Sequence, residues 1–447
     1  APLAAPGRAG AGAGVPAAAV RDLTLRRPGR MRRWPLRRWI TSPWFLLIAA
    51  VLATPPLLFS TFVPRWMPIT ATAFLAIIGL FRSLATGRIL GDTPADGPLL
   101  LILLMLPVGL WVSADRNATL FYTYAHIANL AIFWAIAGLA TVAWLHRVTP
   151  LLVIGGIALG VMLLLGMVAS GGKLPFVNLD IYTLLPKGFR PFWNPSGFNP
   201  NLAGGMVALW WPLALALGLR GNTWPNRILA LIGIVVLGAQ LLLTQSRGGL
   251  IGAACATVVV TVLSDRRWFW IWGTGGIAAT VLMLRGIPIP LDTIVGSRDA
   301  LSLSLQGRVE LWSRAVYVVQ DFPFTGVGLG MFEPVVRILY PPFIIPPDTH
   351  FVHAHNIYLH TAAEMGLPGL IGHLSFYLVL ATLLLRGALK SRTHPNNVLA
   401  IGLFGTLVAF LTHGLFEVIT CATRAAIIIW GLFGLMAAVG MASGSDR

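Results

Sequence analysis

The sequence predicts an all-α polytopic membrane protein, and three observations carry that prediction. Of 447 residues, 56% are hydrophobic and only 11% are charged, whereas a soluble domain carries about 25% charged residues. So little polar material could not cover a globular surface of this size. The apolar residues fall in blocks long enough to cross a hydrocarbon core about 30 Å thick, which takes roughly 20 helical residues. The 32 basic residues, against 15 acidic ones, sit mostly in ones and twos between those blocks, as the topology of a membrane protein requires.

In chain order, residues 1–42 read as a disordered, basic cytoplasmic N-terminus. Residues 1–20 are mostly Ala, Gly and Pro, followed by Arg21, Arg26, Arg27, Arg30, Arg32, Arg33, Arg37 and Arg38. The chain opens on Ala1 rather than a methionine, which points to processing. The first apolar block is too long and too interrupted by proline for the apolar region of a signal peptide, so it reads as a retained span. Spans are expected near 43–62, 67–83, 97–112, 119–142, 149–169, 199–219, 226–244, 248–264, 268–285, 355–386, 396–415 and 424–441. That makes about twelve: nine within 43–285, three within 355–441, and a cytoplasmic tail at 442–447. The tenth is unusually long.

With the N-terminus inside, the even connections are cytoplasmic. They carry Arg82 and Arg88, His146 and Arg147, Arg220 and Arg227, Arg266 and Arg267, then Arg386, Lys390 and Arg392. The excess of Lys and Arg on that side agrees with both termini inside. Two outer connections are long, 170–198 and 286–354. The second exceeds the usual length of a structureless loop, and long ordered loops usually carry function. Within it, Arg308–Gln320 repeats apolar residues at a helical period (Leu311, Trp312, Ala315, Val316, Val319) and is expected as an amphipathic helix on the membrane surface. Gly326–Gly330 lacks the βαβ setting of a dinucleotide fingerprint and reads as a flexible turn. The run from Tyr340 to Asp348 is too rich in proline to continue a helix and reads as a lid.

The composition excludes several classes. The net charge of +17 comes without the basic face or recognition motif that nucleic-acid binding needs. Cys255 and Cys421 lie in apolar blocks and form no CxxC pair, against a disulfide framework or a zinc site. Asn117-Ala118-Thr119 fits a glycosylation sequon, weakly, at a span's edge.

The polar residues expected at outer membrane depth are His353, His355 and Asn356 at the start of the tenth span and Arg247 in the turn Thr244–Gly249. Arg190 precedes Trp193 and the run Asn199-Pro200-Asn201, and Glu417 and Arg424 flank the last outer turn. Ionisable residues at such depth are functional candidates. Two arginines suit a diphosphate, because a guanidinium stays charged and binds phosphate oxygens in pairs. A histidine can take a proton from an attacking hydroxyl, and Phe189, Phe192, Trp193, Tyr340 and Phe343 offer faces for sugar rings. These features point to transfer from a phosphorylated lipid. The plainer reading of either arginine is a side chain snorkelling to headgroups. A metal site would need chelating histidines about 3 or 4 apart on a helix; His355 and His360 are five apart and roughly 140° out of phase, so no metal or other cofactor is expected.

At these residues the sequence resembles the superfamily of O-antigen ligases and polymerases. His355-Asn356, nine residues, Gly366, two residues and Gly369 fit the ligase pattern H-[NSQ]-x9-G-x-x-G, although Leu370-Ile371 stands where paired threonines often close it. Also similar are Phe198–Ala203, Thr244–Gly248, and Gly307–Trp312 leading to Pro323–Gly328. The resemblance implies an inverting, metal-independent transfer of glycan from undecaprenyl diphosphate to a hydroxyl on lipid A–core or another glycan, at the periplasmic face of the bacterial inner membrane. It implies His355 as base, Arg247 and Arg190 as holders of the diphosphate, and Arg308 as a further candidate for that role. Asn356 would orient His355 or the acceptor, with Asn199, Asn201, Trp193, His353 and Tyr340 at the substrate. A polymerase of the same superfamily is the nearest alternative. A lipid or polysaccharide flippase would instead show midplane charges and broken helices in two similar halves.

Overall fold

The computed structural model describes residues 41–87, 91, 93–141, 145–168, 174, 182, 196–285, 298–420 and 424–444. Among them there is no strand, and a lone bridge joins Met167 to Phe198. The helices are α1 (Pro43–Leu58), α2 (Trp66–Thr86), α3 (Asp96–Val112), α4 (Arg116–Ala137), α5 (Thr149–Leu165), α6 (Pro200–Ala208), α7 (Trp211–Arg220), α8 (Trp224–Leu243), α9 (Arg247–Ser264), α10 (Arg267–Leu284), α11 (Arg298–Asp321), α12 (Phe332–Leu339), α13 (Ile357–Ala388), α14 (Asn397–His413) and α15 (Ala426–Ala442).

Seven helical stretches are long and apolar enough to cross a membrane: α2, α4 with its 3-10 extension to Thr141, α6 with α7, α8, α9, α13 and α15 with its last turn. Four shorter apolar helices, α1, α3, α5 and α14, lie among them. The chain is therefore a multi-pass, all-helical membrane protein. Every stretch expected to span holds a helix, but α10 meets neither standard and buries no residue.

Packing follows the rules of helices in lipid, where small residues and interhelical hydrogen bonds replace the hydrophobic drive. α9 and α14 touch at Gly252, where a Cβ would lie 2.9 Å from the Ala409 carbonyl oxygen. Pro212 interrupts the span formed by α6 and α7, and the Thr406 hydroxyl of α14 donates to the Leu209 carbonyl at 2.7 Å. A freed backbone group in a bilayer has to find such a partner. The centre of the core is aromatic: Phe376 stacks on Trp430 (centroids 5.5 Å apart) and meets Phe133 edge-on at 5.3 Å.

The two ends of the bundle differ in chemistry. At one end Arg220 and Arg392 donate to the carbonyls of Leu263 and Ser264, each at 2.8 Å, closing the C-terminus of α9. Cations belong at that pole of the helix dipole. At the other end lie the N-termini of α9 and α13 and the C-terminus of α14, and this is the end that carries the site. α1 finishes there too, since Arg424 donates to the Leu58 carbonyl at 3.3 Å.

Above this end lies a second small core, built by Leu311, Ala315 and Val318 of α11, Phe332 and Val336 of α12, and Phe351 and Ala354. α11 is a long helix rather than the short one expected from Arg308 to Gln320. The tenth span is also corrected. Its helix begins at Ile357, not His355, and is broken at Gly366, which has φ 68° and ψ 179°. That region of backbone space is open essentially to glycine alone.

The break docks the outer layer. It leaves carbonyls of the preceding turn free, and the glycine-rich turn fills them: Val327 N–H donates to Ala363 O and Gly328 N–H to Glu364 O, each at 3.0 Å. Leu367 N–H returns a bond to Pro323 O at 2.7 Å, and the Glu364 carboxylate accepts from Gly330 N–H at 2.9 Å. The turn expected to be flexible is thus one of the most heavily bonded pieces of backbone in the fold. A Cβ on Gly326 would lie 2.4 Å from the Glu364 carbonyl.

Candidate active site

Glu417 is the hub of the site. It follows α14 in the turn 414–420, and its side chain is 4% exposed. His353 Nε2 and His355 Nδ1 both lie 3.1 Å from its Oε1. The imidazoles meet edge to face, with centroids 4.5 Å apart. Glu417 was visible in the sequence only as an acid flanking the last outer turn. Its signal was being the one carboxylate between His373 and the C-terminal Asp446.

Hydrogen bonding assigns the protons. His355 N–H donates to His353 Nδ1 at 3.3 Å, so a neutral His353 carries its proton on Nε2 and donates it to Glu417. Likewise a carboxylate at His355 Nδ1 requires a proton there, which leaves the lone pair on Nε2. His355 sits at φ 50°, a region a side-chain-bearing residue rarely occupies, and its ring is 25% exposed above the buried acid. Burial alone would raise the Glu417 carboxyl, but the hydrogen bond and charge of His355, with the charges of His353 and His413, hold it below its usual range. Burial drives His353 down to about 4, outweighing the pull of Glu417. His353 therefore meets the ionised Glu417 as a neutral N–H donor, beside the Nδ1–H of His355.

The cations come from two other elements. Ser246 caps α9, its Oγ accepting from Gly249 N–H at 3.2 Å, which makes Arg247 the first residue of that helix. The N-terminus of a helix favours anions, through its free N–H groups and its dipole. Arg308 on α11 lies within electrostatic reach of both Glu417 and Arg247; burial lowers it, Glu417 opposes, and Arg247 adds to the lowering. A guanidinium stays charged through such shifts.

The same trio, His353, His355 and Glu417, offers three donor atoms within 4.8 Å of one another, which could hold a metal ion. The histidines that come together are thus His353 and His355, not the pair His355 and His360 whose spacing speaks against chelation. The donors present still fit hydrogen bonding better. A ligating nitrogen needs a free lone pair, yet the proton of His353 lies on the nitrogen facing Glu417, and Arg308 adds positive charge.

Other expected residues fare differently. Arg190, Trp193, Phe189 and Phe192 lie outside the described residues. Of the same connection Leu174 and Tyr182 are described, and both meet the turn before Arg247: Gln245 Nε2 donates to Tyr182 OH at 2.8 Å and Leu174 N–H donates to Gln245 Oε1 at 3.2 Å. Asn356, expected to orient His355 or an acceptor, is instead the cap of α13. Its Oδ1 accepts from Tyr358 and Leu359 N–H at 3.0 Å and its Nδ2 donates to Leu415 O at 3.3 Å. Asn199 likewise caps α6 by accepting from Asn201 N–H at 2.8 Å, and the Asn201 carbonyl lies 3.2 Å from His413 Nε2. Tyr340 donates to the Asp321 carboxylate, and burial with that bond pushes its phenol up to about 12. The proline-rich run Tyr340–Asp348 is held by Glu310, whose carboxylate accepts from the N–H groups of Phe343, Ile344 and Ile345.

Together these features set two imidazoles on a buried carboxylate, with Arg308 within electrostatic reach of both that carboxylate and Arg247. Residues 228–374 match the family model Wzy_C, described as O-antigen ligase. That match supports the O-antigen ligase superfamily over a stretch shorter than half of the chain. The match covers Arg247, Arg308, His353, His355 and Gly366, while Glu417 lies beyond it. Among solved structures, a chain described under "Structural coordination of polymerization and crosslinking by a peptidoglycan synthase complex" is similar at 18% identity with a TM-score of 0.43, covering 78% of this chain and 98% of that one. No curated protein matches.

Proposed function

We propose that the protein is an O-antigen ligase-like glycosyltransferase that moves a glycan from undecaprenyl diphosphate to an acceptor hydroxyl on lipid A–core. In this reading it sits in the bacterial inner membrane with about twelve spans and both termini cytoplasmic. The outer layer formed by α11 and α12 then lies in the periplasm. Support for that orientation comes from the basic residues Arg220, Arg227, Arg266, Arg267, Arg386, Lys390 and Arg392, which gather at the end of the bundle away from His355.

The observation that carries the reading is the Glu417 carboxylate beneath His355, opposite Arg247 and Arg308. The acceptor oxygen attacks the anomeric carbon of the donor and passes its proton to His355 Nε2. The bond from that carbon to the diphosphate oxygen breaks, and undecaprenyl diphosphate leaves with the electron pair. Attack from the face opposite the leaving group inverts the carbon. Glu417 keeps His355 in the tautomer that accepts a proton and stabilises the imidazolium that results, as a carboxylate does for a catalytic histidine elsewhere. Arg247, Arg308 and Arg190 hold and neutralise the diphosphate, so no metal is called for.

A proteoliposome assay with undecaprenyl-diphosphate glycan tests this directly. Wild type transfers glycan with or without EDTA, and His355→Ala and Arg247→Ala each lose on the order of a hundredfold or more. Inhibition by EDTA, or full activity in both variants, would overturn the mechanism. Transfer to glycan in place of lipid A–core would make the protein a polymerase, the alternative that Leu370-Ile371 keeps close.

A further inference from the structure

At the end of the bundle away from His355, α1, α2 and α4 do not close on one another. A cavity of about 310 Å³ lies between them, lined by Ala49, Ala50, Leu75, Ala76, Gly79 and Leu130 among others. Only Pro68, Ala71 and Ile78 of α2 are buried, so the cavity opens toward the bilayer. A second cavity of about 330 Å³ adjoins it at the helix ends, bordered by Thr41, Pro43, Thr141 and Met441. The two share Leu46, Arg82, Gly91 and Trp134. The first is an apolar slot and the second is mixed, with Thr41, Thr93, Thr141 and Arg82 among apolar neighbours, each near the lower end of ligand-pocket size.

Arg82 stands where they join. Its guanidinium makes no hydrogen bond or ion pair among the described residues. Among the described residues Asp96 is turned to other partners, accepting from Trp134 Nε1 at 3.0 Å and from the Thr93 hydroxyl at 2.6 Å. An arginine at the edge of the hydrocarbon needs a counter-charge, and an apolar slot beside it needs a chain to fill it. A phosphate joined to an acyl chain supplies both.

We propose that this pair of cavities binds one acidic glycerophospholipid from the leaflet on that side, with its phosphate on Arg82 and an acyl chain between α1, α2 and α4. This goes beyond the transferase reading and does not depend on it.

Native mass spectrometry of the full chain, released from detergent with phosphatidylglycerol or phosphatidylcholine added, tests the proposal. Wild type keeps one phosphatidylglycerol and no phosphatidylcholine. Arg82→Gln lowers retention about fivefold, the worth of one interfacial arginine. Gly79→Leu fills the slot, because a Cβ there meets nothing within 4 Å, and it lowers retention with the arginine intact and thermal unfolding unchanged. Equal retention of both lipids, or unchanged retention in both variants, overturns the site. Displacement of phosphatidylglycerol by equimolar undecaprenyl phosphate would overturn the assignment to a glycerophospholipid. Glycan transfer is not the readout, so a failed lipid site and a failed transferase reading give different results.

Discussion

Replacing Glu417 by Gln keeps the volume of the side chain and removes its charge, which isolates what the carboxylate does. The wild-type acid accepts from two imidazoles at 3.1 Å while nearly buried. An amide oxygen in the Oε1 position could accept from both imidazoles, but it brings no charge to stabilise an imidazolium, and the amide nitrogen in the Oε2 position lies 3.2 Å from His355 Nδ1 as a second donor. When it faces His355 Nδ1, that ring must carry its proton on Nε2, the atom that has to accept one. General-base catalysis contributes about 10²–10⁴ in rate, so kcat is expected to fall about 10²–10³-fold, or ~2.7–4 kcal/mol. KM for the donor stays within about threefold, since binding rests on the arginines. Glu417→Asp restores part of the rate by returning the charge at a longer reach. The assay is single-turnover transfer in proteoliposomes, with thermal unfolding measured in parallel so that a folding defect is not read as a catalytic one. A Glu417→Gln protein that folds normally and keeps kcat within about twofold would refute the argument.

Three more outcomes follow from the geometry. Gly366→Ala forces an alanine into a glycine-only conformation with its Cβ 2.6 Å from the Phe324 carbonyl; it should cost about 3 kcal/mol or more, read as a lower unfolding temperature and loss of transfer. Glu310→Gln removes a charged acceptor from the amides of Phe343, Ile344 and Ile345 and should weaken the lid by about 1.5–3 kcal/mol, speeding their hydrogen exchange about ten- to hundredfold. Burial opposes ionisation of Glu310, but those amides and Arg314 outweigh it and hold the carboxyl below its usual value. A depressed carboxyl stabilises the folded lid above the unfolded pKa of about 4.3 and loses that contribution as pH falls through the folded value. Protection of the three amides should therefore vanish in acid in the wild type and show no such step in Glu310→Gln. Arg308→Lys should keep part of the activity and Arg308→Ala little, in both cases with a higher KM for the diphosphate donor, because lysine retains the charge without the paired geometry.

Much of the fold was legible because lipid imposes it. A block of apolar residues has few options in a bilayer, so the positions of the helices follow from composition and length alone. Gly366, Pro368 and Gly369 mark a weak point in the tenth span, but what sequence could not supply was the form of the break, since only the docking of a distant turn selects φ 68° at Gly366. The site was half legible. His355 and Arg247 stand out as ionisable residues in apolar surroundings, but their partners come from far along the chain: Glu417 lies 62 residues beyond His355. Asn356 also has an ordinary structural use. An asparagine just before an apolar helix is a good cap, and that ordinary use took both ends of its amide.

The break at Gly366 also explains why the site needs the outer layer. His355 stands on a strap between that layer and α13, Arg308 belongs to α11 within the layer, and Arg247 and Glu417 belong to the bundle. No single rigid element holds the base and all its partners, so their geometry is set by how firmly the layer is docked. Docking runs through the backbone bonds between the turn 326–330 and the carbonyls opened by Gly366, with Glu364 bonded to Gly330 and Phe332 at 2.9 and 3.3 Å. The glycine of the ligase pattern is thus a joint. Loosening it would leave His355 and Glu417 chemically intact while moving Arg308 relative to Arg247, and a diphosphate clamp tolerates little such movement, because a misplacement of about 1 Å can cost a hundredfold.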